Sequence, residues 1–186
     1  VIAVSIPVSY IDKLQHENAD DLAFYPLSTL QDAMSAGQVL SCYENGEPAG
    51  YLWHGPIRHG RDVTIYQACI DYELRRQQLG FGMVRQLIDS ARAGGATGIR
   101  LRCASSAMSN TFWVTIGFYC TLVSAGGIKR GRSINHYRTD LAATLFVLPG
   151  VTPSDQAIDL RAYQRMKANG VAMPSRFSRK HYGDAP

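Results

Sequence analysis

The chain has 186 residues, 46 % hydrophobic and 18 % charged, which excludes a disordered or collagen-like chain and suits one domain with a sizeable core. No apolar run approaches the roughly 20 residues that cross a bilayer. The net charge of +4 is mild but uneven: Arg100, Arg102, Lys129, Arg130, Arg132 and Arg138 all lie in the second half.

Val1 to Ile6 reads as a first strand, apolar but without the basic leader and small-residue cleavage site of a signal peptide. Pro7 to Asn18 predicts a short helix, with Ile11 and Leu14 three apart. Pro26 to Ala36 predicts a second, with Leu27, Leu30, Ala33 and Met34 on one face and Gly37 after it. Val39 to Tyr43 and Gly50 to Trp53 read as strands around Asn45-Gly46, a two-residue hairpin signal. A Gly/Pro/Arg loop, His54 to Asp62, leads into a β-branched and aromatic strand, Val63 to Ile70. Val84, Leu87, Ile88 and Ala91 then mark one face of a helix that Gly94-Gly95 closes. Gly98 to Cys103 predicts a short strand, Asn110 to Ile116 a brief helix, and Phe118 to Ser124 with Ile134 to Asp140 a final strand pair. Thr152-Pro153 reads as a further helix start, with Thr152 as N-cap and Pro153 in the first helical position. The expected organisation is a body over 1–144 and a C-terminal extension over 145–186, with a helix at about 153–169 and a basic tail. Periodicity alone gives α/β or α+β.

Cys42, Cys69, Cys103 and Cys120 form no C-x-x-C pair, and the histidines form no H-E-x-x-H pattern, so no metal site is expected. Cys69 and Cys103 read as small buried hydrophobes, and reduced thiols suit a cytoplasmic protein.

The chemistry concentrates between the central strand and the long helix, in Ile70-Asp-Tyr-Glu-Leu-Arg-Arg-Gln-Gln-Leu-Gly-Phe-Gly82. The unpaired N–H groups of a helix's first turn, with the positive end of its dipole, favour an anion. Gly80 and Gly82 allow close backbone approach. The direct reading is a cradle for a pyrophosphate. It is not a P-loop, since no G-x-x-x-x-G-K-[ST] run exists. A dinucleotide fingerprint would need glycine at Arg85 and an acid about twenty residues on, where Arg100-Leu-Arg102 stands instead.

The stretch resembles motif A of the GCN5-related N-acetyltransferase (GNAT) superfamily, [RQ]-x-x-G-x-[GA]. Two registers fit: Gln77-x-x-Gly80-x-Gly82, and Arg75-x-x-Gln78-x-Gly80 with Gln78 in place of the first glycine. The second agrees better with Ile70, Glu73-Leu74-Arg75 and Met83-Val84 around it. Phe112-Trp113-Val-Thr-Ile-Gly117-Phe118 is similar to a second family segment, F-Y-x-x-L-G-F. Trp113 stands where many members carry the tyrosine that protonates the leaving thiolate, and indole cannot do that.

The resemblance implies a mixed, mostly antiparallel central sheet flanked by helices, and N-acyl transfer from acetyl-CoA or another acyl-CoA to an amine. It implies cofactor contacts from Cys69 and Ile70 and from the N–H groups of Arg75, Arg76, Gln77, Gln78, Leu79, Gly80, Phe81 and Gly82, with Asn110 and Trp113 nearby. Arg75 and Arg76 could instead be solvated, and Asn110 could be an N-cap. No general base stands out. His54, Tyr66, Asp71 and Glu73 are candidates, and Tyr119 or Tyr137 could replace the missing phenol. Lys129, Arg130, Arg132 and His136 border the expected acceptor cleft. They suit an acidic, nucleotide or nucleic-acid acceptor, or else a solvated hairpin. The competing reading is a nucleic-acid-binding module that keeps the fold without CoA-dependent transfer. A homodimer is left open by the sequence.

Overall fold

The computed structural model describes residues 6–127 and 131–141. Its elements run α1 (Val8–Glu17), α2 (Leu27–Ser35), β1 (Val39–Glu44), β2 (Glu47–His54), β3 (Asp62–Ile70), a 3₁₀ turn (Tyr72–Leu74), α3 (Leu79–Ala93), β4 (Gly98–Ala104), α4 (Ser109–Thr115), β5 (Tyr119–Ala125) and β6 (Ser133–Asp140). The strands are hydrogen-bonded in the order β1-β2-β3-β4-β6-β5, and β1-β2, β2-β3 and β5-β6 are antiparallel. This is the mixed, mostly antiparallel sheet that the family resemblance implies. The expected strand at Val1–Ile6 and the extension over 145–186 fall wholly or almost wholly outside the described residues.

The chain divides into two compact units, 1–99 and 100–186. In the first, Asn45 and Gly46 both take positive φ (52° and 85°), as a tight hairpin between β1 and β2 requires. Ile11 and Leu14 of α1 and Leu30 and Ala33 of α2 pack with Tyr51, Trp53 and Cys69 of the sheet. Gln15 falls on the same buried face of α1. It is satisfied by a polar chain: Tyr51 donates to Gln67 Oε1 at 3.0 Å, and Gln67 Nε2 donates to Gln15 Oε1 at 3.0 Å and to the Ala23 carbonyl. Gln15 also exchanges hydrogen bonds with the backbone of Tyr25. α3 buries Met83, Val84, Leu87 and Ala91 and lies against β1, β2 and β3.

The second unit centres on Leu101, Trp113, Val114, Phe118, Cys120 and Tyr137, all buried. Trp113 packs edge-on to Phe112 and Phe118, with ring centroids 5.0 and 5.4 Å away.

Gly50 sets how closely β2 and β3 meet. A Cβ there would lie 2.5 Å from the Cys69 carbonyl oxygen and 2.6 Å from Ile70 Cδ1. Gly50→Ala is therefore expected to lower stability by about 1–3 kcal/mol, read as a lower urea midpoint at unchanged m-value.

Candidate cofactor-binding and active site

The first unit carries the loop between β3 and α3. Asp71 caps the 3₁₀ turn by accepting from the Glu73 N–H at 3.4 Å, and it accepts from the Tyr10 hydroxyl at 3.1 Å. Lys13 stands 3.8 Å from the same carboxylate. Arg75 folds back: its Nε donates to the Ile70 carbonyl at 3.2 Å and its Nη2 to Asn18 Oδ1 at 2.6 Å. Its guanidinium also stacks 5.0 Å from the Tyr72 ring. The 3₁₀ turn is thus fastened on both sides, to Tyr10 of α1 and to Asn18 just after that helix.

After Arg75 the backbone takes two left-handed steps, Arg76 (φ 68°) and Gln78 (φ 64°), before α3 begins at Leu79. A left-handed residue followed by helical ones turns successive N–H groups to one side, the geometry of anion-binding nests. Gln78 caps α3 without any side-chain hydrogen bond, and the first turn contains no acid. Among the described residues, none accepts from the N–H groups of Arg76, Gln77, Gln78, Leu79, Gly80 or Phe81. Gly82 is different, donating to the Gln78 carbonyl at 3.0 Å. A Cβ on Gly82 would meet nothing within 4 Å. Six uncapped amides with no competing carboxylate fit a diphosphate.

The backbone conformation bears on the two motif registers. Gln78 holds the left-handed conformation that suits glycine, while Gly80 and Gly82 do not. This is the register in which Gln78 replaces the first motif glycine.

The structure places the expected site residues as follows. The Arg75 N–H donates to the Tyr72 carbonyl at 3.3 Å, so the run of open amides begins at Arg76, and Gly82's own N–H closes the helix. His54 is 5 % exposed and its Nδ1 lies 2.7 Å from the Gly55 carbonyl. Burial lowers its pKa, with that hydrogen bond opposing the shift. Glu73 is exposed within the 3₁₀ turn. Cys69 is buried, and burial pushes its thiol up to about 11, with Arg75 opposing the shift. Ile70, the last residue of β3, is half-buried beside it.

In the second unit, Asn110 is neither an N-cap nor an open contact. It lies inside α4, and its Nδ2 donates to the carbonyls of Ala104 (2.7 Å), Ser105 (3.1 Å) and Ala107 (2.6 Å). Its Oδ1 accepts from Asn135 Nδ2 and from the Tyr137 hydroxyl, both at 2.9 Å. Tyr137 is 2 % exposed, and burial pushes its phenol up to about 12. The Tyr119 hydroxyl donates to Asp140 Oδ2 at 2.6 Å and accepts from Arg138 at 3.3 Å. Both phenols are thus engaged. Trp113, 6 % exposed, is a core residue. His136 Nε2 lies 2.8 Å from Ser124 Oγ, and the Arg132 carbonyl accepts from Gly126 N–H at 2.7 Å. Lys129 and Arg130 lie outside the described residues.

The sequence reading missed the Tyr51–Gln67–Gln15 chain and the Asn18 tether. Only Gln15 left a local signal, a polar residue four after Ile11 on an apolar face.

A sequence model described as the acetyltransferase (GNAT) family matches residues 8–118, and the chain belongs to that family. It is an acyl-CoA-dependent N-acyltransferase with acetyl-CoA as cofactor, so the alternative of a binding module without transfer is not retained. Among curated proteins no sequence matches. Solved structures share the fold at low identity. The Ard1 structure from Thermoplasma volcanium is 12 % identical with a TM-score of 0.62, covering 74 % of this chain and 95 % of its own. The ribosomal-protein-S18-alanine N-acetyltransferase from Escherichia coli is 15 % identical with a TM-score of 0.58, covering 80 % and 97 %. Rv2747 from Mycobacterium tuberculosis, in complex with CoA, is 13 % identical with a TM-score of 0.59, covering 72 % and 93 %. Among the described residues no helix is long and apolar enough to cross a membrane.

Two outcomes follow from this geometry. Asn110→Ala strands the buried Tyr137 and Asn135 groups and should cost about 2–4 kcal/mol of stability, measured by urea unfolding. Gln78→Gly should retain acetyl-CoA binding and relieve up to about 1 kcal/mol of left-handed strain, whereas Gln78→Val should destabilise.

Proposed function

We propose that the open amides from Arg76 to Phe81 hold the diphosphate of acetyl-CoA, and that the acyl group passes to an amine on a nucleobase, nucleotide or nucleic acid. Acetyl-CoA supplies the activated thioester. The main chain at Cys69 and Ile70 would polarise its carbonyl, following the family arrangement. Cys69 holds its proton until about pH 11, which disfavours a covalent acyl-cysteine and favours direct transfer.

The observation that carries the acceptor class is Gln67. Between Val63 and Cys69, β3 holds no carboxylate, and its buried polar side chain is a carboxamide already hydrogen-bonded to Tyr51, Gln15 and Ala23. A carboxamide cannot take a proton from an alkylammonium. An amine attached to a heteroaromatic ring is already uncharged at neutral pH, so no base is needed to remove an ammonium proton; as the C–N bond forms and the C–S bond breaks, the N–H proton it loses passes to the leaving CoA thiolate. Holding the two reactants together supplies most of the rate in this scheme.

Calorimetry with acetyl-CoA tests the first half, and thiol release with adenosine, cytidine, tRNA, spermidine and lysine peptides tests the second. Release with the base amines is expected; release only with alkylamines would remove the acceptor assignment. Gly80→Leu should weaken acetyl-CoA about tenfold, about 1.4 kcal/mol. Gly82→Ala should leave acetyl-CoA affinity unchanged and stabilise by about 0.5–1 kcal/mol, because its Cβ enters open space on a helix.

A further inference from the structure

We propose that Tyr66, Trp53 and Tyr25 form a docking platform for a planar heteroaromatic ring that carries a hydrogen-bond acceptor. This rests on the acceptor class proposed above and assigns the surface that receives the ring.

Three observations in the first unit carry it. Trp53 is 6 % exposed, and its indole N–H is buried with no hydrogen-bond partner among the described residues. A buried donor left unpaired costs about 1–3 kcal/mol, so its retention calls for an explanation. An arriving acceptor atom would supply one. Secondly, Trp53 lies between two tyrosines, Tyr25 at 4.7 Å and Tyr66 at 4.8 Å between ring centroids. Tyr66 is 43 % exposed, so the cluster offers an aromatic face to solvent. It lies where the β2-β3 register shifts between Trp53 and His54, and such irregularities re-aim a side chain. Gly55 makes room for it, since a Cβ there would stand 3.2 Å from the Tyr66 hydroxyl. Thirdly, the platform is anchored. Gln67, next to Tyr66, holds Ala23 directly and Tyr25 through Gln15.

The chemistry selects the occupant. The three rings carry no ionised group and the unpaired atom is a donor. An alkylammonium could meet the ring faces and the phenol oxygens, but it has no acceptor to offer the unpaired indole N–H. A nucleobase offers a π-face for Tyr66 and ring nitrogens or carbonyls for the indole N–H. The indole N–H is itself buried, so in this proposal a base reaches it only if the neighbouring Tyr66 ring, 4.8 Å away between centroids, turns and then stacks on the base. Tyr66 stands four residues before Ile70 on β3, roughly 13 Å at strand rise.

The chain has two tryptophans, Trp53 and Trp113, so ¹⁵N-labelled full-length protein gives two indole resonances. Trp53→Phe assigns them. Titration with adenosine and with cytidine, without acetyl-CoA, should move the Trp53 indole proton downfield and leave Trp113 in place. Tyr66→Ala, at a half-exposed position, should weaken the titration about tenfold, and Tyr66→Phe should preserve it. An unmoved Trp53 resonance, a shift equal in Tyr66→Ala, or a shift with spermidine instead overturns the platform. Because no transfer is required, failure of nucleosides as acetyl acceptors would defeat the acceptor assignment while a Trp53 shift still upheld the platform.

Discussion

The interaction on which the structure turns is one that the protein itself leaves unmade: the hydrogen bonds of the first amides of α3. Gln78 stands at the N-cap in a left-handed conformation with no side chain turned back to the helix. Ser, Thr, Asp or Asn at that place would satisfy one amide and gain about 1 kcal/mol. The left-handed backbone at Arg76 and Gln78 adds about 1 kcal/mol for each residue. These costs fall on one short segment, and an anion bound to the helix start would offset them. The surrounding residues serve to keep that segment in place. Asp71 stops β3 and starts the 3₁₀ turn, and Arg75 ties the turn's end to Ile70 and to Asn18, the residue that caps α1.

That division of labour explains what was legible in the sequence. Local signals succeeded: Asn45-Gly46 fixes a hairpin, Val84, Leu87 and Ala91 fix a helix face, and Gly94-Gly95 ends it. The loop's family pattern was readable for the same reason, since a cradle made of main chain is encoded by a few consecutive residues. Which register applied was not decided by letters alone. The positive φ at Gln78, where a glutamine occupies a glycine conformation, fits the second register.

What was not legible is polar and non-local. Asn110 has the letter of an N-cap and sits beside a helix start, yet its partners lie at Ala104, Ser105, Ala107, Asn135 and Tyr137. No window of sequence contains them all. Tyr119 and Tyr137 were candidates as proton donors because they are phenols near the right place. Whether a phenol can serve depends on what its hydroxyl already touches, and here each has a side-chain acceptor within 2.9 Å. Trp113 was read as a substituted functional position, and the second unit uses it as filling between Phe112 and Phe118.

The same reasoning narrows the chemistry on β3. A carboxylate at the position of Gln67 would be buried at 3 % exposure, and it would have to accept from Tyr51 and face Gln15 while giving up the bond to the Ala23 carbonyl. A carboxamide satisfies all three partners at once because it both donates and accepts. An ionised group there would be desolvated and would repel the Ala23 oxygen. The strand has therefore traded proton-accepting capacity for a fixed position of residues 23–25 and of the rings beside them. An enzyme arranged in this way cannot draw its rate from a base at that point on the strand. In the proposed scheme it draws it from orientation, for an acceptor that reaches the site already uncharged.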